Sequence, residues 1–354
     1  MAYGYAGCWA AVILLVTGLA QAKPVPQKSL SPERIQVLKS YHQKLNASPL
    51  LRTPIPATTP ERPFSELEEA GYLFFSSNMN YNSRIAKHEM AKNLPAGVTL
   101  VIFTEPGTDA ARIRREYQGL IEPERLKVVE LEDASSGFWT RDGFPVPIWG
   151  VDRGMNLVGA KYYHGFEPDE AVSGWFGGRL SEHRYFFEGG NFVTNDQGDC
   201  LTIDNELSVD IPDSIFQTMY GCRKLVRFPH EKGIGHADES LKFVTSDTVI
   251  TDSANYQKTL ESHGYKVIRV PRPQRKYETY INSLLVNGTI YVPIFNQKTD
   301  DEALKVYRDA GFTVIPIETI QLANNGLGSI HCITMTYPPA PFEMLLKRLG
   351  AREL

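Results

Sequence analysis

Four short stretches combine ionisable or polar side chains with glycine. They are Trp139-Thr-Arg-Asp142-Gly-Phe-Pro145, Phe187-Glu188-Gly-Gly-Asn191-Phe192, Gly233-Ile-Gly-His236-Ala-Asp238-Glu239 and Gly328-Ser-Ile-His331-Cys332-Ile-Thr334. Loops of this kind, held by a rigid scaffold, are where chemistry concentrates. Cys332 falls at a junction behind the passage Ile320 to Gly328, so its thiol can meet a substrate while the segment behind it packs; a buried structural cysteine is the alternative. His331 beside it reads as a neighbour only. His236 and Asp238 lie two apart and face the same way in an extended segment, which pairs a proton-transfer group with a cation-holding one. A His-x-Asp pair is also part of a metal site, but only His230 and Glu231 are spaced to complete it, so no metal or other cofactor is expected. Asp142 reads either as an exposed turn aspartate or as a carboxylate beside the aromatic wall of Trp139, a receptor for a flat cation. Glu188 precedes Gly-Gly-Asn191 at a strand end, with turn capping as the alternative role. A thiol, an imidazole and several carboxylates together suit attack by a thiolate on an electrophile that carries positive charge. A protease would need no such surplus of acids, which would repel its oxyanion.

The elements that must position these loops are mixed α/β. Apolar runs such as Val98 to Phe103, Val226 to Phe228, Val249-Ile250, Val267 to Val270, Leu284 to Val286, Ile290 to Ile294 and Val314 to Ile317 read as buried strands. Ile113 to Gln118 and Asp301 to Ala310 carry the i, i+3, i+4 spacing of helices. From Ile281 to Ile317 the order is strand, Asn287-Gly288 turn, strand, loop, helix, strand, a ββαβ unit, with weaker copies around 188–228 and 226–270. A repeated unit of about 60 residues predicts a closed, radially repeated architecture.

The W-x-R-D, E-G-G-N, G-H-x-D and H-C patterns occur in this order, with Tyr280-Ile-Asn282-Ser283 and Val292-Pro-Ile294 between the last two. Together they resemble the guanidino-group-modifying enzymes of the pentein superfamily, in particular the bacterial-type peptidylarginine deiminase and agmatine deiminase family, over about residues 64 to 350. The resemblance implies a five-bladed α/β propeller of ββαβ modules with a metal-free site on its axis. It implies Cys332 as nucleophile, His236 as general acid and base, Glu188 as the acid holding that histidine, and Asp142 and Asp238 as the guanidinium clamp. Trp139, Asn282 and Asn191 join as substrate-binding residues. The expected substrate is peptidyl arginine, converted to citrulline and ammonia through a covalent thiouronium. The alternatives are agmatine or another small guanidine, amidino transfer or dimethylarginine hydrolysis, and a non-catalytic pentein that only binds. The stretch Lys161-Tyr-Tyr-His-Gly-Phe166 has no arginine pair to receive a peptide's terminal carboxylate, which weighs against a preference for C-terminal arginine.

The flanks and composition set the context. Residues 1–22 carry no charge, are apolar from about Trp9 to Leu19 and end Ala20-Gln21-Ala22, the pattern of a secretory signal cleaved near Ala22 rather than a stable membrane anchor. A secreted or periplasmic protein is therefore expected. Residues 23–63 are proline-rich and read as a leader or surface arm with one helical pattern near Glu33 to His42, followed by a catalytic domain over 64–354. Cys200 and Cys222 form a disulfide or remain two buried thiols. With 37 Lys and Arg against 41 Asp and Glu, and no basic block, nucleic acid is excluded as a partner. A guanidinium-bearing substrate is the only partner expected, and the sequence carries no signal for an oligomeric state.

Overall fold

The computed structural model describes Val25 and residues 28–48 and 54–340. Residues 1–22, read above as a signal, lie outside the described residues. The chain forms five small sheets arranged as a five-bladed α/β propeller. Blade 5 shows the module at its clearest. Strand Leu284–Val286 pairs antiparallel with Thr289–Ile294, which pairs parallel with Thr313–Glu318 after the helix Asp300–Asp309. Its hairpin turns on Asn287 and Gly288, whose φ values of 45° and 80° fit the two-residue turn that follows strand twist. The crossover helix buries Ala303, Leu304 and Tyr307 on one stripe and opens with Asp300, Asp301 and Glu302, where acids oppose the positive end of its dipole.

Blade 4 (Leu241–Thr245, Thr248–Thr251, Lys266–Arg269) and blade 3 (Val193–Thr194, Asp199–Asp204, Lys224–Pro229) repeat that pattern. In blade 2, Val146–Gly150, Met155–Lys161 and Leu180–Phe186 follow it, and the short strand Pro60–Pro63 is added at the edge. Blade 1 is built from both ends of the body: Met335–Tyr337 pairs antiparallel with Tyr72–Ser76, which runs parallel to Thr99–Thr104 and on to Leu126–Glu130. That pairing closes the ring. Thr99–Thr104 is buried at all but its first position, as a parallel strand covered on both faces must be. Apolar side chains gather in five clusters rather than one core, as separate blades require.

The proline-rich arm holds one long helix, Pro32–Ala47, started by the Ser31 cap and by Pro32 at its first turn. It is docked rather than loose. Leu38, His42 and Leu45 are buried, and the His42 ring accepts from the Phe186 N–H at 2.9 Å and meets the Leu207 carbonyl at 3.3 Å. Burial holds the His42 pKa down, which keeps one ring nitrogen free to accept.

Cys200 and Cys222 form a disulfide that closes a loop with a sequence separation of 22 within blade 3. Constraint of the unfolded chain by a loop of that size is worth about 3 kcal/mol. Selective reduction should therefore lower the unfolding free energy by about 3 kcal/mol in a urea titration; an unchanged midpoint would show that the cross-link does not constrain the unfolded state.

Candidate active site

Each passage from one blade to the next delivers a polar side chain to the ring axis. Asp142 sits in the helical turn Thr140–Gly143, Glu188 heads the turn Gly189–Asn191, His236 heads the turn Ala237–Glu239 with Asp238 inside it, and Asn282 and Cys332 lie in the next two passages. Successive members of this set, Glu188 to His236, Asp238 to Asn282, and Asn282 to Cys332, are 48, 44 and 50 residues apart. The repeat is thus shorter than the unit of about 60 residues expected from strand patterns.

The convergence is close. A β-carbon added at Gly190 would stand 2.7 Å from Asp142 Oδ1, 2.8 Å from His236 Nδ1 and 3.2 Å from Asp238 Oδ2, so only glycine lets these three groups meet. His236 lies between two carboxylates, with Nε2 3.0 Å from Glu188 Oε2 and Nδ1 3.5 Å from Asp142 Oδ1. Burial alone would lower its pKa, but Glu188 and then Asp142 outweigh burial and raise it to about 9. Burial likewise works against the Glu188 carboxylate, and His236 reverses it, holding Glu188 below its usual range. Burial keeps Asp142 above its own range although Lys28 and His236 oppose this. Asp142, Glu188 and His236 are also close enough to share a metal ion, their ligand atoms lying within 4.8 Å of one another. With a carboxylate facing each ring nitrogen, however, the imidazole is arranged to carry protons rather than to donate a lone pair.

Cys332 is fully buried. Asn282 Nδ2 lies 3.2 Å from its Sγ and Asp238 Oδ2 3.7 Å from it. Burial first, and then the Asp238 charge, push the thiol far above its usual pKa, so the resting nucleophile is protonated. Asn282 Oδ1 accepts from the Ser329 and Cys332 N–H groups at 3.1 and 3.4 Å, which fixes the loop that carries the sulfur. The Arg141 N–H donates to the Cys332 carbonyl at 3.1 Å, joining that loop to the Asp142 turn. Trp139 is buried and packs against Gly328 and Gly326, where a β-carbon would approach its ring to 2.7 and 2.8 Å.

Asn191 is the predicted residue that does not reach the substrate position. Its amide spans Ile203, donating to the carbonyl at 2.8 Å and accepting from the N–H at 2.9 Å, and it accepts from the Ala237 N–H at 3.1 Å. With its donor and acceptor groups taken by backbone, it positions the His236–Asp238 turn instead. His331, read from sequence as a mere neighbour, holds Asp238: its Nδ1 is 2.7 Å from Asp238 Oδ2 and its Nε2 2.7 Å from Glu66 Oε1. Burial opposes ionisation of Asp238, yet the His331 hydrogen bond prevails and brings its pKa to about 2. Glu66 in turn meets Arg141 at 3.0 Å and Lys242 at 2.8 Å.

Two further residues escaped the sequence reading. Tyr163 donates its hydroxyl proton to Glu188 Oε1 at 2.5 Å, and the same oxygen lies 3.2 Å from the Lys28 carbonyl. Lys28, from the arm, extends its ammonium to 3.1 Å from Asp142 Oδ2 and 4.7 Å from the centre of the Trp139 ring system, with both Lys28 and Asp142 side chains fully buried. Burial disfavours that ammonium, but Asp142, with Asp238 behind it, keeps it firmly charged.

A propeller whose axis carries a cysteine, a carboxylate-flanked histidine and two more carboxylates defines a pentein of the guanidine-modifying class. Residues 79–338 match the Porphyromonas-type peptidyl-arginine deiminases, and the chain belongs to that family. It is 24% identical to the agmatine deiminase of Stutzerimonas stutzeri (strain A1501) over 293 residues, covering 62% of this chain and 78% of the relative. Among solved structures, the agmatine deiminase of C. jejuni superposes with a TM-score of 0.64 at 17% identity, covering 79% of this chain and 96% of that one. A more distant neighbour is the DDAH of Pseudomonas aeruginosa in complex with citrulline, at a TM-score of 0.50, 13% identity and coverage of 76% and 100%. The protein is accordingly a hydrolase acting on guanidino groups, a deiminase of the agmatine or peptidyl-arginine type.

The position of His236 between two acids makes a signed prediction. If the imidazolium delivers the proton to the leaving nitrogen, kcat/KM falls as pH rises through the His236 pKa of about 9. Glu188→Gln removes the larger of the two raising charges, so this alkaline limb should move to lower pH. A limb unmoved in that variant would detach His236 from the pH dependence.

Proposed function

We propose that the protein hydrolyses the terminal guanidinium of a small alkyl guanidine of the agmatine kind, giving the ureido compound and ammonia. The observation that carries this reading is a pair of buried carboxylate oxygens at the centre. Asp238 Oδ1 accepts no hydrogen bond among the described residues, and Asp142 Oδ2 is met by the Lys28 ammonium at 3.1 Å as an ion pair. A planar guanidinium, with its fork of N–H donors, satisfies such oxygens where a point cation does not. The names of the relatives support agmatine as the scale of the substrate.

In this reading Asp142 and Asp238 fix the cation, and its positive charge against the sulfur favours thiolate at Cys332. The thiol proton is released to solvent as thiolate forms, the Sγ–C bond forms, the C–N bond breaks, and His236 passes its own proton to the departing ammonia, leaving a thiouronium. The neutral imidazole then takes a proton from water, whose oxygen attacks the same carbon. Loss of the sulfur releases the ureido product.

A second reading, peptidyl arginine, is supported by the family description and by the position of Lys28, an internal residue whose long cationic side chain already reaches Asp142. An exported location is part of that reading, supported by the uncharged apolar opening and by a disulfide of the kind oxidising compartments maintain.

Assay of agmatine, free arginine and peptides with internal or C-terminal arginine, following ureido product and ammonia together, separates the two. Turnover of agmatine alone supports the first reading, turnover of the internal-arginine peptide the second, and no ureido product from any of them contradicts both. Asp142→Asn should lower kcat/KM by about 10²–10³ with KM raised and kcat lowered together, since the clamp both binds and aims the carbon.

A further inference from the structure

Among the described residues, the guanidinium position of the folded chain is already taken by the chain itself. We propose that the arm is a pseudosubstrate: Lys28 occupies the cation site, the resting protein is self-inhibited, and a substrate must displace the arm to reach Cys332. The inference rests on the deiminase reading for what it inhibits, but its geometry stands alone.

The arm carries its side chain to the acids at the axis. The Lys28 ammonium lies 3.1 Å from Asp142 and 4.7 Å from the centre of the Trp139 ring system, and the Lys28 carbonyl lies 3.2 Å from the hydroxyl of Tyr163, which donates to Glu188. Val25, three residues earlier, packs in the cluster that contains Trp139 and Cys332. Three residues later the Ser31 cap begins the docked helix Pro32–Ala47. The chain therefore crosses the mouth of the site anchored on both sides. A cavity of about 200 Å³ lined by Lys28, Tyr163, Glu188, Gly233 and His236 lies along this crossing.

The occupant is matched in charge and mismatched in shape. An arginine Cζ takes the place of a lysine Nζ along the side chain, but an ammonium has no carbon for the sulfur to attack and no planar fork for the acids. The arm thus satisfies the charge of the site without reacting. A tethered competitor of this kind acts at a millimolar effective concentration when its linker is short, and lowers apparent affinity by the fraction of molecules left open.

The test uses the full chain. Alkylation of Cys332 by a haloacetamidine, which needs both the cation site and the thiol, should be at least about tenfold faster in Lys28→Ala than in the parent chain. Lys28→Met, which keeps the bulk and removes the charge, is the control for folding and should also be faster, with a melting transition retained in both variants. Equal alkylation rates in the parent and in a folded variant overturn the proposal. In Lys28→Arg the guanidinium carbon stands beside Cys332, and the intact mass should change by the replacement of one NH by O as the chain modifies itself. Faster alkylation in Lys28→Ala with no guanidine turned over would leave the self-inhibition standing and remove the deiminase reading. Slow alkylation with normal turnover would do the reverse.

Discussion

Negative charge buried at the centre of the ring is the constraint from which the rest follows. Asp142 and Asp238 are fully buried and Glu188 is nearly so, and carboxylates withdrawn from water stay ionised only when cations or donors meet them. The structure answers with a graded set of positive groups. His236 lies between Glu188 and Asp142, His331 between Asp238 and Glu66, and Arg141 and Lys242 stand behind Glu66. Among the described residues, one position remains for which the body of the propeller supplies no cation, the space in front of Asp142 Oδ2 and beside Cys332. In the resting chain the arm fills it with Lys28; in the catalytic cycle a guanidinium does.

The same constraint accounts for the inert state of the nucleophile. Buried and with acids on two sides, Cys332 holds its proton tightly. The Lys28 ammonium opposes this without prevailing, so the thiol stays protected until a guanidinium brings the carbon it attacks. The two histidines divide the work by position. His236 faces the reacting groups and is poised to lose a proton, while His331 bonds to a carboxylate through each nitrogen and is committed to holding Asp238. Asn282 and Asn191 do comparable work on the backbone: one ties down the sulfur's loop, the other the turn that presents His236 and Asp238.

Most of this was legible in the sequence because ring symmetry places every contributor but Asn282 in a glycine-bearing passage between blades. Cys332, His236, Asp238, Glu188 and Asp142 announced themselves by residue type beside glycine, and Gly190 shows why the glycine is there: nothing larger fits among the three groups. The blade 5 hairpin was readable from Asn287-Gly288, since few other pairs take positive φ at both positions. Glu66 was not, being one of several acids in an undistinguished run, and neither was His331, whose adjacency to Cys332 hid a role on the far side of the same carboxylate. Lys28 could not be found by pattern at all. Its partners are distant in sequence, and proline-rich composition marks where helix is suppressed, not where a side chain will reach.

The central claim is that a buried thiol, shielded by acids, attacks the carbon of a cation those acids hold. The most direct measurement is the intact mass of the protein quenched in acid during turnover of a guanidine substrate, with the adduct located by peptide mapping. The account predicts a mass increment of the amidine fragment on the peptide carrying Cys332, absent from Cys332→Ser under the same conditions. Full turnover with no adduct on that peptide, or an adduct that persists in Cys332→Ser, would contradict it.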